Sequence, residues 1–316
     1  MAQLGGGGSQ SAWGYQTVSS PNFDGGDFQI ERAAGIAAGV GPDVPSSCLE
    51  WLENIGIDIR GIQQHPNAKT PRAWQILEQD GRRHEIWRTA QSPQLSSLLL
   101  PPFASLPPAF QRARAFHVGI HPEHPPIQLL KDLRHALDKH RSRNGTGLLS
   151  IETFTKASTK IQPDGDLWAA IELCDIFSPN EEEARSILGL SKLNRDTIDA
   201  EILKLTSPFI DAGARWCSLR RGAGGVVVHE KSSTNVWSIP VVADTNVVDT
   251  TGCGNAFCGA FLAGIQSRSG AEVAGMLATA AASVMAEHQG VPQGLNMGKV
   301  RAEVRRRSLN LETRLL

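Results

Sequence analysis

The chain has 316 residues, of which 41% are hydrophobic, and its formal net charge is −1 at pH 7. This length and composition allow a large buried core, organised as two ordinary domains or as one large α/β domain with an appendage. A charge so close to zero provides no field for nucleic acid or a membrane surface, so we expect a small-molecule partner, with no nucleic acid and no membrane.

Glycine dominates the beginning of the chain, where Gly5 to Gly8 are followed by Ser9 and Gln10. Such a run is compatible with a phosphate loop, a sugar-binding turn or a flexible linker. By composition alone, the linker is the favoured interpretation.

Periodicity predicts the elements that follow. The Ala-rich run from Gln29 to Gly41 indicates a strand or a helix, and Ser46 to Ile55 has helical spacing. Two alternating segments, Ala73 to Leu77 and His84 to Trp87, flank an Asp80-Gly81 turn. This combination predicts a β-hairpin.

Short apolar strands then alternate with helical patterns. The predicted strands are Ala115–Val118, Leu148–Ile151, Asp175–Ser178, Trp216–Leu219 and Val226–Val228. Strands separated by helices form βαβ units and therefore a parallel, doubly wound α/β sheet. Ligands of such sheets lie at the carboxyl ends of the strands, where the motifs below are found.

The stretch from Val247 to Phe257 combines an apolar strand end, a glycine-punctuated turn and an apolar helix. The turn from Gly252 to Asn255 aims several free backbone N–H groups at one point, at the positive end of the helix dipole. We therefore predict a site for an anion or a phosphoryl group. Asp249 is expected to order the turn through Asx-type hydrogen bonds.

The helix after this turn carries Phe257, Phe261 and Ile265 at spacings of four, which predicts a core-facing stripe. Gly259, Ala260 and Gly264 are expected to permit close packing of the helix on the sheet.

The five cysteines are odd in number, scattered and mostly within apolar runs. This usage is typical of a reducing compartment and predicts a cytoplasmic protein. No apolar run approaches the roughly 18–20 residues that cross a bilayer, and no signal peptide is visible. Cys253, at a helix N-terminus, invites the hypothesis of a redox-sensing thiolate, but the favoured interpretation is an ordinary small residue in the turn.

The stretch Asp249-Thr250-Thr251-Gly252-Cys253-Gly254-Asn255 resembles the Asp-Thr-x-Gly-Ala-Gly-Asp signature of the ribokinase-like (PfkB) carbohydrate kinases. The resemblance implies a doubly wound, mostly parallel sheet flanked by helices, with a small β lid. It implies that Gly252, Cys253 and Gly254 form the catalytic anion hole, and that position 255 is the catalytic base. Asn255 replaces the family's Asp at this position. With this replacement, the chain resembles a divergent eukaryotic branch of the family.

Two further motifs follow the family's order. Asn180 and Glu183 form a capping-box pattern and also resemble the Asn-x-x-Glu motif, which implies that Glu183 organises Mg²⁺ through water. Arg220, Gly222 and Gly225 resemble the nucleotide loop Thr-x-Gly-x-x-Gly, with Arg220 in place of the Thr. An arginine can bind phosphate through charge-assisted hydrogen bonds, although glycines there are also explained by a β-turn.

The resemblance places Thr279 at the position of the family's Asn beside the adenine. An ordinary Ala-rich core helix accounts for the sequence around Thr279 equally well. The resemblance also changes the interpretation of the chain's beginning. Gly7, Gly8 and Gln10 resemble the family's Gly-Gly-x-x-x-Asn-x-Ala substrate turn, which implies, together with Asp249, a substrate-binding role.

The resemblance further implies a core of residues 1–55 and 100–316 and a lid of residues 56–99, through which a homodimer forms. Family members begin with a strand that carries a substrate-binding Asp. We therefore expect that strand, and any targeting segment, upstream of Met1.

The implied activity is transfer of a phosphoryl group from ATP, with Mg²⁺, to a hydroxyl of a sugar or nucleoside-like molecule. Asn255 is neutral and cannot accept a proton, whereas general-base catalysis is typically worth ~10²–10⁴-fold. Phosphoryl transfer depends mainly on positioning and electrostatic stabilisation, so slow activity is expected. The alternative is an inactive nucleotide- or sugar-binding regulatory protein.

His117, His121 and His124, with Glu123, invite a metal-site interpretation. The prolines around them break any helix, so helical ligand spacing does not apply and a loop at a strand end is expected.

Overall fold

The structure of the protein is a computed structural model that describes residues 4, 6–19, 34–77, 83–88, 100–144, 147–190, 198–233, 235–294 and 296–316. The strands are β1 Ala34–Val40, β2 Ile57–Gln64, β3 Ala73–Leu77, β4 Arg83–Trp87, β5 Ala115–Ile120, β6 Leu148–Thr153, β7 Ile176–Ser178, β8 Trp216–Arg220, β9 Val226–Glu230, β10 Val236–Ile239 and β11 Arg314–Leu315.

The α-helices are α1 Gly7–Val18, α2 Ser46–Asn54, α3 Pro108–Gln111, α4 Ile127–Asn144, α5 Asp166–Leu173, α6 Glu181–Leu188, α7 Ile198–Asp211, α8 Cys253–Gln266, α9 Ala271–Ala286 and α10 Met297–Ser308. Short 3₁₀ turns cover Phe103–Ser105 and Gly222–Gly224. Within the described ranges, no helix combines the length and the apolarity that crossing a membrane requires.

A seven-stranded sheet in the order β11-β10-β9-β8-β7-β6-β5 forms the centre of the fold. The four strands from β5 to β8 are parallel, and β9, β10 and β11 continue the sheet antiparallel. The five predicted strands are confirmed. The last of them, β9, forms a hairpin with β8 because only a short glycine turn separates the two strands.

Helices cover both faces of this sheet, as expected for a doubly wound α/β fold. Val226 and Val228 of β9 belong to one buried apolar cluster, whereas Val227 belongs to the other. Since successive strand residues point to opposite faces, the two clusters lie on opposite sides of the sheet. The first cluster includes Phe257, Phe261 and Ile265 of α8, which confirms the predicted core-facing stripe.

Two small sheets accompany the central one. Strands β1 and β2 are paired in parallel, so the Ala-rich run contributes a strand. Strands β3 and β4 are antiparallel, with Trp74 opposite Ile86, which confirms the predicted hairpin. The turn residues 78–82 lie outside the described residues. The assignment of residues 56–99 as a lid stays a prediction.

Helix α1 packs against α8 at backbone distance. A Cβ added at Gly259 would overlap the carbonyl oxygen of Ser11, and one added at Gly14 would overlap that of Ala256. The linker interpretation is therefore wrong from Gly7 onward, because the glycines open a buried helix. The expected helix–sheet role of Gly259 is also wrong, since the residue makes a helix–helix contact.

Gly264 has the same kind of partner. A Cβ at this position would lie 2.7 Å from the Cβ of Ala274, which is on α9. The small residues of α8 thus bring α1 and α9 close, and through α1 they set the position of the chain's first helical turn.

Candidate active site

The turn before α8 is ordered as its sequence predicts. Gly252 has φ 86°, in the left-handed region that favours glycine, and α8 begins at the next residue. One carboxylate oxygen of Asp249 accepts a hydrogen bond of 2.8 Å from the backbone N–H of Thr251. The other accepts one of 3.4 Å from Gly290 N–H. Asp249 therefore orders the turn, and its contact with substrate stays a prediction.

Unpaired N–H groups collect at this turn. The N–H of Cys253 donates to the carbonyl of Thr250 at 3.3 Å. The N–H groups of Gly252, Gly254 and Asn255 have no acceptor within the described part of the chain. Such donors at the positive end of a helix form a binding place for an anion.

Gln10 reaches this turn from α1. It is only 2% exposed, and its side chain occupies the space that a Cβ at Gly252 would need. The amides of Gln10 and Asn255 lie 2.7 Å apart. The structure thus brings Gln10, Gly252 and Asn255 together, and it also fills part of the space beside the turn with a side chain.

Glu152, at the carboxyl end of β6, lies on the other side of Asn255. With the Asn255 amide oriented so that Nδ2 faces this carboxylate, Nδ2 lies 3.2 Å from each of its oxygens. This orientation is consistent because an amide oxygen there would face two acceptors. Asn255 Oδ1 then lies 2.7 Å from the Gln10 amide, which donates to it when Gln10 Nε2, rather than Oε1, faces Asn255. Asn255 is held between an amide and a carboxylate.

Glu152 is buried, with 2% of its surface exposed. Burial acts to raise its pKa, but the hydrogen bond from His117 and the charge of Arg220 outweigh burial and lower the pKa of Glu152. His117 Nε2 lies 3.1 Å from Oε1, and the Cys258 thiol donates to Oε2 at 3.3 Å. A Cβ at Gly7 would lie 3.4 Å from Oε1, so the start of α1 meets the same carboxylate.

Arg220, the last residue of β8, lies between two acidic side chains. Its Nη1 is 3.1 Å from Glu152 Oε2, and its Nη2 is 3.6 Å from Glu183 Oε2. Nη2 also donates to the carbonyl of Ser178 at 2.7 Å. Burial disfavours the guanidinium charge, yet the two glutamates outweigh it and raise the pKa of Arg220. Arg220 is therefore charged and held by the protein itself.

Asn180 and Glu183 form the predicted capping box at the start of α6. Asn180 Oδ1 accepts from the N–H of Glu183 at 2.9 Å, and Glu183 Oε2 accepts from the N–H of Asn180 at 2.8 Å. Thr153 Oγ1 donates to the same oxygen at 2.8 Å. Burial raises the pKa of Glu183.

These acidic side chains do not offer a place to a protein-bound Mg²⁺. Mg²⁺ needs nearly octahedral oxygen ligands with free lone pairs. Both oxygens of Glu152 and Oε2 of Glu183 already have partners, and the Arg220 guanidinium lies between the two carboxylates. The role of Glu183 toward metal-bound water stays a prediction, for which its other oxygen, Oε1, is the candidate.

The glycine loop after β8 has the expected turn conformation. Gly222 has φ 54° and Gly225 has φ 78°. A Cβ at Gly225 would overlap the carbonyl oxygen of Ile239, whereas a Cβ at Gly222 would meet open space. Thr279 is buried in α9, and its hydroxyl has no partner among the described residues. The nucleotide contacts of these residues stay predictions.

The hypothesis of a reactive Cys253 is wrong. Burial, with a further contribution from the charge of Asp249, raises the pKa of this thiol to about 12. The thiol is therefore protonated at neutral pH, and a small residue that fits the turn is the better explanation.

The histidines divide into two groups. His121 and His124 stack at 5.2 Å between ring centroids in the loop after β5, as expected for a loop at a strand end. Glu123 in the same loop accepts from the N–H of Ser158 at 2.7 Å. His117 lies on β5 instead and faces Glu152.

Sequence reasoning missed Glu152 and its neighbours. A signal was present, since an acidic residue directly follows the apolar run Leu148–Ile151 at the carboxyl end of a strand predicted to be parallel. Arg220 was predicted to be a phosphate ligand, and its pairing with two glutamates was not foreseen.

The sequence profile of the pfkB family carbohydrate kinases matches residues 32–296. The cytidine kinase of Thermococcus kodakarensis is 26% identical over 231 residues, which is 73% of each of the two chains.

Solved structures share the fold. An E. coli ribokinase II candidate in complex with ATP and Mg²⁺ superposes with a TM-score of 0.69 at 18% identity, over 96% of this chain and 89% of the other. Ribokinase from Giardia lamblia superposes with a TM-score of 0.68 at 20% identity, over 96% and 88% of the two chains. The ribokinase-like α/β fold predicted from the sequence is confirmed.

Proposed function

Because the chain belongs to the pfkB family of carbohydrate kinases, we propose that it transfers a phosphoryl group from ATP to a hydroxyl group of a sugar or a nucleoside-like molecule. The observation that carries this proposal is the turn before α8. There, the N–H groups of Gly252, Gly254 and Asn255 lack acceptors in the described part of the chain, and the side chain of Gln10 lies beside Gly252 and Asn255.

The turn supplies the electrostatic part of the chemistry. In phosphoryl transfer, charge spreads over the oxygens of the transferred group, and preorganised donors stabilise it without rearranging. Backbone N–H groups at the start of α8 are fixed by the Asp249 hydrogen bonds and need no reorganisation. The proposed anion hole is the turn Gly252 to Asn255, in which Gly252, Gly254 and Asn255 supply the free N–H groups and the N–H of Cys253 already donates to Thr250.

The substrate hydroxyl is proposed to lie at Asn255, with Gln10, Gly7 and Gly8 at the beginning of α1 as its further contacts. The amide oxygen of Asn255 can orient a hydroxyl but cannot take its proton at neutral pH. The missing base predicts turnover slower by about 10²–10⁴-fold than with a carboxylate at this position. The cytidine kinase relative supports a nucleoside-like acceptor.

ATP is proposed to lie along Gly222, Gly225 and Thr279, with its terminal phosphate at the turn. Mg²⁺ enters the proposal only as the counter-ion that ATP carries in solution, with Glu183 Oε1 as the candidate for a contact through water. The carboxylate of Glu152 and Oε2 of Glu183 would not bind the ion directly, since they are already paired, and bound to ATP the ion would neutralise charge on the phosphates.

A carboxylate exchange tests this proposal. Asn255→Asp alone would place a second carboxylate next to Glu152, whose oxygens lie 3.2 Å from the Asn255 amide. Like charges so close raise the pKa of one of the pair. The double variant Asn255→Asp/Glu152→Gln keeps the charge of the site and moves the carboxylate to the position of the base.

We expect the double variant to consume ATP faster than the wild type with at least one sugar or nucleoside. Asn255→Asp alone should gain less. Glu152→Gln alone is the matched control and should gain nothing. If no variant turns over any substrate, the enzyme function is refuted.

An inactive binding protein is the second candidate. The observation in its favour is that the side chain of Gln10 fills space beside Gly252. This function predicts that calorimetry detects ATP or a sugar bound to the wild type, while neither the wild type nor the double variant turns it over.

The proposal includes two properties of the whole protein, a cytoplasmic location and a homodimer formed through the β3–β4 hairpin. Trp74, Ile76 and Ile86 are exposed by 59%, 45% and 47%. Strand alternation and the Trp74–Ile86 pairing put all three on one face of the hairpin. Analytical sedimentation tests the dimer: the wild type should sediment as a dimer, and the Trp74→Ser/Ile86→Ser variant should sediment as a monomer.

A further inference from the structure

Two carboxylates, those of Glu152 and Glu183, hold the guanidinium of Arg220. The side chains of Arg220, Glu152 and Glu183 are exposed by only 13%, 3% and 6%. Two acidic groups buried this deeply require a compensating cation, because an unpaired buried charge is strongly destabilising. In this protein, the cation is part of the chain.

The hydrogen bonds around the carboxylates leave no room for a metal between them. Glu152 has His117 at one oxygen and Cys258 and Arg220 at the other. At Glu183, Oε2 accepts from Thr153 and from backbone. A divalent ion would have to displace these donors and lie beside a guanidinium of the same sign.

The guanidinium also lies against the proposed anion hole. A Cβ at Gly254 would overlap Arg220 Nη1, so no side chain fits between the guanidinium and the first turn of α8. The Nε atom of Arg220 is buried and has no hydrogen-bond partner among the described residues. A buried donor without an acceptor costs free energy, which an arriving anion would relieve.

We propose that Arg220 is a built-in cation of the phosphate site and takes the place of a protein-bound divalent metal. The ligand class is a phosphate chain, such as that of a nucleoside triphosphate, bound by the guanidinium together with the N–H groups of Gly252, Gly254 and Asn255. Guanidinium groups suit this role because their planar donors match phosphate oxygens. The inference rests on the proposed function and adds that the protein binds phosphate without Mg²⁺.

The test compares ATP affinity in EDTA with ATP affinity in excess Mg²⁺, by calorimetry on the full chain. The wild type should bind ATP in both buffers with similar affinity. Arg220→Thr should lose about ten- to hundredfold in EDTA, the size of a charge-assisted hydrogen bond, and should regain affinity with Mg²⁺. Arg220→Lys keeps a positive charge but not the planar donors, so its ATP affinity in EDTA should lie between those of the wild type and Arg220→Thr.

Arg221→Thr is the matched control. Arg221 is on the same loop, but its Nε is 3.2 Å from Glu181, away from the two buried carboxylates. This variant should bind ATP as the wild type does in both buffers.

A second measurement needs no nucleotide. A ligand that binds the folded state raises its melting temperature. Added Mg²⁺ should leave the melting temperature of the wild type unchanged and should raise that of Arg220→Thr, where the space between the carboxylates is open. If Arg220→Thr does not fold, the double variant Arg220→Thr/Glu152→Gln, which removes the excess charge, replaces it in the ATP comparison.

The outcomes separate this inference from the proposed function. If the wild type binds ATP only with Mg²⁺, or if Arg220→Thr binds ATP in EDTA as tightly as the wild type, the inference is overturned and the proposed function stands. If the wild type binds ATP in neither buffer, both are overturned.

Discussion

Arg220 and Glu152 form a buried ion pair at the carboxyl edge of the parallel strands, with Nη1 3.1 Å from Oε2. The pair joins the ends of β8 and β6, two strands separated by β7 in the sheet. The pair lies next to Asn255 and Gly254, so a substitution in the pair should affect both the stability of the fold and the turn before α8. Several expected outcomes depend on this relationship.

Replacing Arg220 should lower the free energy of unfolding. Arg220→Met leaves Glu152 buried without its cation, which typically costs about 3–5 kcal/mol of unfolding free energy. Adding Glu152→Gln should recover much of that loss. Urea unfolding measures both effects, and Arg306→Ala is the control, because breaking this exposed ion pair with Glu303 should hardly change the free energy of unfolding. Equal losses in Arg220→Met and Arg306→Ala would contradict the assignment.

The two glutamates should respond to pH in opposite directions. The pKa of Glu152 is lowered in the folded state, so its contribution to stability is present above the unfolded value of about 4.3 and is lost as the pH falls. The pKa of Glu183 is raised, so its contribution is present at low pH and is lost as the pH rises through the folded value.

Urea unfolding from neutral pH down to about pH 4, close to the pKa of a glutamate in the unfolded chain, checks both predictions. Relative to the wild type, Glu152→Gln should be most destabilised at neutral pH and less so in acid. Glu183→Gln keeps a side chain suited to the capping box and should improve relative to the wild type as the pH rises. Parallel pH profiles for the two variants would show that the predicted shifts are absent.

The contact between α1 and α8 should not tolerate a methyl group. Gly259→Ala places a Cβ on the carbonyl oxygen of Ser11 and should cost about 1–3 kcal/mol by overpacking. Gly298→Ala, the same change at an exposed position of α10, has only a side-chain neighbour at 3.1 Å and should be neutral or slightly stabilising. Thermal unfolding distinguishes the two, and a neutral Gly259→Ala would refute the close packing.

Cys253 should be unreactive. Because burial raises the pKa of its thiol to about 12, alkylation by iodoacetamide near neutral pH should be slow in the folded protein and fast after denaturation. Cys253→Ala should leave ATP binding unchanged. Rapid modification of the native thiol would contradict this environment.

The sequence predicted features whose causes are local. Apolar runs of four or five residues between turn signals predicted the strands of the parallel sheet. The Asp80-Gly81 pair between two alternating segments predicted the β3–β4 hairpin. The Asn180–Glu183 capping box and the Asp249 turn also depend on residues close in the chain. These predictions succeeded because neighbouring residues carry all of the necessary information.

Features that depend on distant residues were missed or misjudged. The helix from Gly7 to Val18 is rich in glycine at its start, and it forms because it packs on α8, which composition does not reveal. Glu152, His117 and Arg220 come from three different strands and meet only when the sheet is formed. For the same reason, the partner of Gly259 was wrongly taken to be the sheet.

We propose that the backbone N–H groups of Gly252, Gly254 and Asn255 bind a phosphate. The most direct measurement is amide NMR of the ¹⁵N-labelled protein during titration with ATP. We predict that these three amide signals shift strongly and in a saturable manner, while those of exposed α10 residues such as Gly298 do not move. If ATP binds and leaves these three signals unchanged, the phosphate site is elsewhere and the account is wrong.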